Sequence, residues 1–363
     1  MRAATSVARS ASSLMRGVFH NEMMQTAATV SSEAIGELFA DMPRAFDFDD
    51  VSLVPRAPST LAHRSEAQPA VEFGPVGLRV PLIGSPMPDV CGVDMCRALG
   101  EHGALGILPR FQSIGEQAVE LSQVAAAGGP VAAALGVTGD FRERFSRIVE
   151  TGCRIVCLDT ANGAHDQVAQ AVRWVRDQNP AVFLIAGNVA TAETFAWLED
   201  HGVDAIRVGI AGGSVCETRT ETGVHAPTLY SVYECAQVRG HALIIADGGI
   251  RSPADMCKLL ALGADCVMVG SALAGTYEAP GRVIVVDGKK FKIMRGAASF
   301  SVQQEFAGAD PEYIEGSESI VAYKGRVTDV IQRYVAGLRS SMSYMNARTL
   351  DEYRSNASFV RTR

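Results

Sequence analysis

From residue 80 onward one unit recurs along the chain: a short run of Val, Ile, Leu and Ala ending in Gly, Asp or Asn, followed by a stretch with helical spacing. Eight such runs occur, at 80–84, 105–108, 131–136, 154–159, 183–188, 205–209, 243–247 and 266–270. Within each run the apolar positions are continuous rather than alternating, as expected for strands covered on both faces in a parallel sheet. Successive runs start about 22 to 38 residues apart, room for one strand and one helix, and 166–178 and 191–201 carry apolar residues at helical intervals. Eight βα units predict an α/β fold, a closed (β/α)8 TIM barrel; an open doubly wound sheet fits a count of eight less well. In a barrel all eight strand C-termini open on one mouth, and chemistry is expected there.

The runs place a single barrel catalytic domain over residues 46–363 of the 363 and leave 1–45 as an N-terminal extension. Up to Phe19 that extension holds Arg2, Arg9 and Arg16, several Ser and Ala, and no acid. Two readings of residues 1–20 stay open, an organellar targeting peptide or a disordered, partly helical tail. Otherwise a cytoplasmic location is expected. No run of about 18 uncharged apolar residues exists, so no membrane-spanning helix and no membrane partner are predicted. Thirty-three Lys and Arg against 40 Asp and Glu give a net charge of −7, which argues against nucleic acid as a partner but leaves room for a local anion pocket. The eight cysteines form no CxxC or CxxH pair, so reduced, mostly buried thiols are expected rather than a structural zinc site.

The strongest local chemistry follows the sixth run: Gly209-Ile210-Ala211-Gly212-Gly213-Ser214-Val215-Cys216-Glu217-Thr218-Arg219. Small residues let the backbone present N–H and C=O groups to a ligand, Ser214 can donate to a phosphate oxygen, and Arg219 close to Cys216 would favour the nucleophilic thiolate. A buried cysteine beside a flexible turn is the plainer alternative. Gly248 and Gly249 after the seventh run, with Gly270 and Ser271 after the eighth, match the usual barrel phosphate site. Asp247 would then accept from ribose hydroxyls, or serve only as a helix N-cap. Asp159-Thr160-Ala161-Asn162-Gly163 and Gly187-Asn188 place a carboxylate and amides at adjacent strand ends, suited to a second ribose or a nicotinamide carboxamide, although Asp and Asn there are also common turn formers.

Together these motifs, with Phe46-Asp47-Phe48-Asp49-Asp50-Val51, Tyr323-Lys324-Gly325 and Phe359-Val360-Arg361, resemble the IMP dehydrogenase/GMP reductase family over nearly the whole chain. The resemblance implies that Cys216 attacks C2 of a purine nucleotide while a nicotinamide cofactor, NADP or NAD, exchanges hydride at that carbon. It implies Thr218, Glu315 and Arg110 as further catalytic residues. Ser85, Met87, Ser214, Asp247, Gly248, Gly249, Gly270, Ser271, Arg295 and Gly296 would hold the nucleotide, and Asp159, Ala161, Asn162, Asn188 and Arg219 the cofactor. Backbone carbonyls of Ala211, Gly213 and Cys216 would hold potassium, and a homotetramer or octamer is implied. No room exists between the second and third runs for the regulatory subdomain of many dehydrogenases. The short segment from Phe300 to Gly316, free of an Arg-Tyr pair, looks like the reductase branch, as do Thr222-Gly223-Val224 and Gly288-Lys289-Lys290-Phe291-Lys292. Glu278-Ala279-Pro280-Gly281 looks more like the dehydrogenase. Departures from the family pattern fall at Arg110, where the family has lysine, at Ala211, where it has glycine, and at Glu312-Tyr313-Ile314, where the reductase has Arg-Ala-Ser. Three readings follow: a GMP reductase, an IMP dehydrogenase, or a catalytically impaired nucleotide-binding relative.

Overall fold

The computed structural model describes residues 42–307 and 314–363. Residues 1–20, for which a targeting peptide is one of two readings, and Glu312 and Tyr313 therefore lie outside the described residues. Residues 45–363 form one compact unit.

Eight parallel strands run Leu82–Gly84, Leu105–Gly106, Ala132–Leu135, Ile155–Asp159, Phe183–Val189, Ala205–Val208, Leu243–Asp247 and Cys266–Val269. Each falls inside, or within one residue of, an apolar run of the sequence. They pair in the order second, first, eighth, seventh, sixth, fifth, fourth, third. The last seam closes through Leu108, whose N–H donates to Ala132 O at 3.0 Å and whose carbonyl accepts from Ala134 N–H at 2.8 Å. The sheet is a closed TIM barrel. Helices Ile114–Ala126, Asp166–Gln178, Ala192–Asp200 and Pro253–Leu262 pack outside it, and Ser113, Thr191 and Ser252 cap the first, third and fourth through their hydroxyls.

Strand alternation then sorts the side chains. Outward residues such as Val156, Leu158, Leu184, Ile206 and Ile244 pack against the helices, while Ile83, Leu105, Ala134, Ile155, Cys157, Ile185, Ala205, Ile245 and Met268 fill the barrel interior. The hairpin Val71–Phe73 and Val76–Leu78 contributes to that interior core, with Phe73 fully buried and its ring 4.8 Å from that of Phe183. Two residues beyond Cys157, Ala205 and Ile245, the same parity delivers Asp159, Arg207 and Asp247 to the inner wall at the mouth.

Three features go beyond the strand–helix count. The loop after the sixth strand contains a short helix, Thr218–Thr222, closed by Gly223 at φ +73°. After the eighth strand the chain builds a three-stranded antiparallel flap from Ile284–Val286, Lys289–Arg295 and Glu318–Ala322, turning at Asp287 and Gly288, both with positive φ. Near the termini, Val51–Leu53 pairs antiparallel with Phe359–Arg361.

Candidate active site

Cys216 sits at the barrel mouth, half-buried, whereas the other seven cysteines are buried. Burial pushes the Cys153, Cys157 and Cys235 thiols up to about 12, so these stay protonated and unreactive. The Cys216 sulfur lies 3.3 Å from Thr218 Oγ1, and Thr218 Oγ1 donates to Glu315 Oε2 at 2.7 Å. A threonine hydroxyl has one proton; since it goes to Glu315, the sulfur contact is made by the thiol donating to Thr218. A hydrogen-bonded path thus leads from thiol to carboxylate.

Glu315 arrives there from the flap. Cys216 and Gly316 form an antiparallel bridge, Glu217 N–H donates to Glu315 O at 2.8 Å, and Ser317 N–H donates to Val215 O at 2.9 Å. Gly316 is required for this approach, because a Cβ there would lie 2.6 Å from Ser299 N. Gly296 is equally confined, 2.7 Å from Val215 O.

Deeper in the mouth lies a residue that sequence reasoning missed. Arg207, 6% exposed, donates from Nη1 to Asp159 Oδ1 at 2.5 Å and from Nη2 and Nε to Asp247 Oδ2 at 2.8 and 3.1 Å. Gly187 makes room for it, since a Cβ there would lie 2.6 Å from Arg207 Cβ. Arg110 Nε stands 3.5 Å from Asp159 Oδ2. Two guanidiniums therefore balance two carboxylates. Burial works to raise the Asp159 pKa, but Arg207 and Arg110 outweigh it and hold the carboxyl below its usual range. The available signal was parity: a lone arginine in an apolar strand, two residues past inward-facing Ala205.

The remaining expected residues divide. Asn188 Nδ2 donates to Asp247 Oδ2 at 2.8 Å and to Gly209 O at 2.7 Å, so the amide stands beside Asp247. Its Oδ1 is buried with no hydrogen-bond partner, an acceptor that fits a ribose hydroxyl or a carboxamide N–H. Ser85, Met87 and Gly270 meet at the seam of the first and eighth strands: Ser85 N–H donates to Val269 O at 3.0 Å, and a Cβ on Gly270 would lie 3.3 Å from Met87 Sδ. Gly248 packs on the cysteine loop, where a Cβ would come within 3.1 Å of Gly212, and Gly249 follows it with φ +75°. Ser214 is exposed on that loop, and the Ser271 carbonyl accepts from Lys324 Nζ.

Other side chains are committed elsewhere. Arg295 donates from Nε and Nη2 to Asp89 at 2.8 and 2.9 Å and from Nη1 to Glu305 at 2.8 Å, tying the flap to the loop after the first strand. Asn162 Oδ1 accepts from Ala164 N–H at 3.2 Å, the turn-former role, and Ala161 is exposed. Arg219 is exposed on its short helix, and the hydrogen-bond partner of the thiol is Thr218. Ala211 takes φ +61°, the conformation for which glycine is suited, and Gly213 O already accepts from Cys216 N–H at 3.2 Å. Among the described residues no group of three His, Cys, Asp or Glu side chains could hold a metal, and no helix is long and apolar enough to cross a membrane.

Fold and mouth define a class: a TIM-barrel protein with an accessible thiol beside a glycine-lined cradle and a paired-charge floor. Known proteins narrow it. A family model describing the IMP dehydrogenase / GMP reductase domain matches residues 45–363, and the chain belongs to that family. Inosine-5'-monophosphate dehydrogenase of Nitrosopumilus maritimus is 41% identical over 244 residues, which cover 64% of this chain and 51% of that protein. The Bacillus subtilis dehydrogenase is 40% identical over 240 residues, 64% of this chain and 49% of that one. The chain thus spans about half the length of the curated relatives it matches. Among solved structures, a Cys-to-Ala variant of GMP reductase from Trypanosoma brucei in complex with guanosine 5'-monophosphate aligns with a TM-score of 0.84 at 27% identity, covering 90% of this chain and 97% of that one.

Proposed function

We propose that the protein is a GMP reductase-like oxidoreductase that converts GMP and NADPH to IMP, ammonia and NADP through a covalent bond between Cys216 and C2 of the purine. The observation that carries this is the thiol–hydroxyl–carboxylate path from Cys216 through Thr218 to Glu315. In the first step the thiol proton passes along the path to Glu315 and the sulfur bonds to C2 as the C2=N3 π pair moves onto N3. The same path then returns a proton to the amino group, which leaves C2 as ammonia. A bound nicotinamide cofactor would supply hydride to C2, after which the C–S bond breaks with its electron pair on sulfur, and a proton taken up from solvent restores the Cys216 thiol. The phosphate would rest at Ser85, Met87, Gly249, Gly270 and Ser271, beside Ser214, and the ribose hydroxyls against Asp247. The unpartnered Asn188 oxygen and the Asp159–Arg110 pair would take the nicotinamide ribose and carboxamide. Potassium would take carbonyls of the Ala211–Cys216 turn, whose positive φ at Ala211 keeps a glycine-like path despite the substitution.

A second reading is favoured by the 40–41% identity to inosine-5'-monophosphate dehydrogenases: oxidation of IMP to XMP with NAD. That reaction must activate a water to release the product from sulfur. The sequence between Arg295 and Arg326 holds no arginine to do so, which supports the reductase. The deciding assay follows cofactor absorbance with GMP plus NADPH and, separately, IMP plus NAD; oxidation of NADPH without reduction of NAD is expected. Turnover of the second pair alone would overturn the proposal, and binding without any turnover would point to an impaired relative.

Glu315→Gln keeps the hydrogen bond from Thr218 but cannot take a proton. It is expected to lower kcat by about 10²- to 10⁴-fold while nucleotide affinity, measured by calorimetry, stays within about threefold. Self-association as a tetramer or octamer is supported by the flap, where Val285 and Ile320 are 64% and 61% exposed and Ile293 adds apolar surface. Light scattering on the purified protein checks it.

A further inference from the structure

Behind the mouth, between the barrel wall and two helices, lies a buried polar network with no place in the chemistry above. Gln117, fully buried in the first turn of helix Ile114–Ala126, donates from Nε2 to Pro109 O at 3.0 Å and to Ala134 O at 2.9 Å. Its Oε1 accepts from Arg144 Nη1 at 2.8 Å. Arg144, 6% exposed on helix Phe141–Glu150, donates from Nη2 to Gln112 O at 2.9 Å and to Asp140 Oδ2 at 2.7 Å. A buried guanidinium and amide in an apolar wall are costly unless fully paired, so their presence calls for a reason. The carbonyls they serve supply it. Pro109 and Gln112 lie just past the second strand, where no sheet partner remains, and they bracket Arg110 and Phe111. Gln117 fixes the carbonyl on one side and Arg144 the carbonyl on the other. Between these anchors the Arg110 guanidinium lies 4.5 Å from the centre of the Phe111 ring, with Nε 3.5 Å from Asp159.

We infer that Gln117 and Arg144 are positioning residues that set the Arg110 guanidinium at the Asp159 edge of the mouth and thereby determine affinity for the nicotinamide cofactor. The inference deepens the functional reading and rests on it for the identity of that ligand. A displacement of about 1 Å at a loop that aims a charged group costs up to about 100-fold, so a loosened anchor should be visible kinetically.

The test is a double-mutant cycle on the full-length protein. Gln117→Met keeps the volume and removes every hydrogen bond; the melting temperature should fall, because Arg144 Nη1 loses its buried partner, and in the folded variant the cofactor KM should rise about tenfold with kcat changing far less. Arg110→Met should raise the same KM by at least as much, and Gln117→Met added to Arg110→Met should change it less than about twofold. If Gln117→Met fails to fold, Arg144→Lys takes its place in the cycle, since lysine keeps the charge beside Asp140 but cannot serve both Gln117 and Gln112. Additive effects in the cycle, or a cofactor KM unmoved in the folded variant, would overturn the proposal. A second readout does not depend on turnover. Carboxyl NMR of Asp159 should show its pKa rising in Gln117→Met as it does in Arg110→Met, and an unmoved value in Gln117→Met would equally overturn it. Wild-type protein that turns over neither nucleotide pair would defeat the functional reading, while the carboxyl titration still decides the positioning.

Discussion

Replacing Cys216 with alanine is expected to lower turnover by at least about 10⁴-fold while the nucleotide Kd moves by less than about threefold. The sulfur is the atom that bonds to C2 in the proposed reaction, and no other thiol can substitute: the seven others are buried. Thr218 and Glu315 would keep their 2.7 Å hydrogen bond in the variant, but a proton path without a nucleophile at its head accomplishes little. Nucleotide binding survives because the cradle is built from other elements, Ser85 and Met87 from the first strand end, Gly249 from the seventh, Gly270 and Ser271 from the eighth. Single-turnover measurements with GMP and NADPH, beside calorimetric titration of GMP, give both quantities. A variant retaining more than about 1% of wild-type turnover would remove the covalent mechanism and return Cys216 to the role of a loop residue.

The largest effect on stability is expected at Arg207. Arg207→Met fills a similar volume but leaves Asp159 and Asp247 facing one another across the barrel without the guanidinium that joins them. Breaking a buried ion pair by removing one partner costs about 3–5 kcal/mol, because the remaining charge is left uncompensated. The loss should depend on pH with a definite sign. In the wild-type protein the folded Asp159 pKa is depressed, so its contribution is present above the unfolded carboxylate value, about 3.9, and fades as pH falls. In the variant, burial acts with only Arg110 to oppose it and the folded pKa rises, so the deprotonated carboxylate becomes a liability as pH increases. The stability deficit of Arg207→Met should therefore widen from pH 5 to pH 8 in urea unfolding. A deficit below about 1 kcal/mol, or one equal at the two pH values, would show that the three side chains are not coupled as described.

Particular residues show how far the chain could be read directly. The run 243–247 coincides with the strand Leu243–Asp247, and helix Asp166–Gln178 occupies the stretch expected of it, because apolar spacing within a dozen residues is enough to select strand or helix. The flap was legible only in part. Its Asp287-Gly288 turn is a recognisable hairpin signal, but only Lys289–Arg295 has buried residues, Ile284–Val286 and Glu318–Ala322 having none, and none of the three strands resembles the continuous buried runs of the barrel. At the site, Cys216 announced itself by its glycine-rich setting, whereas the family resemblance, not spacing, supplied Glu315. Arg219, adjacent in sequence, was expected at the thiol; the partner is instead the hydroxyl of Thr218.

By itself the sequence determined the eight βα units, the closed barrel they imply, and the strand ends where glycines, a thiol and two aspartates gather, since each depends on short-range periodicity and on residue types suited to tight turns. Tertiary structure alone decided which charges meet. Arg207 pairs with Asp159 and Asp247 across 48 and 40 residues, Arg295 turns to Asp89 across 206, and Thr218 reaches Glu315 across 97. Such pairings follow from where barrel closure and flap folding carry each Cβ and how it is aimed. Those vectors are set by the whole packed molecule rather than by any neighbour along the chain.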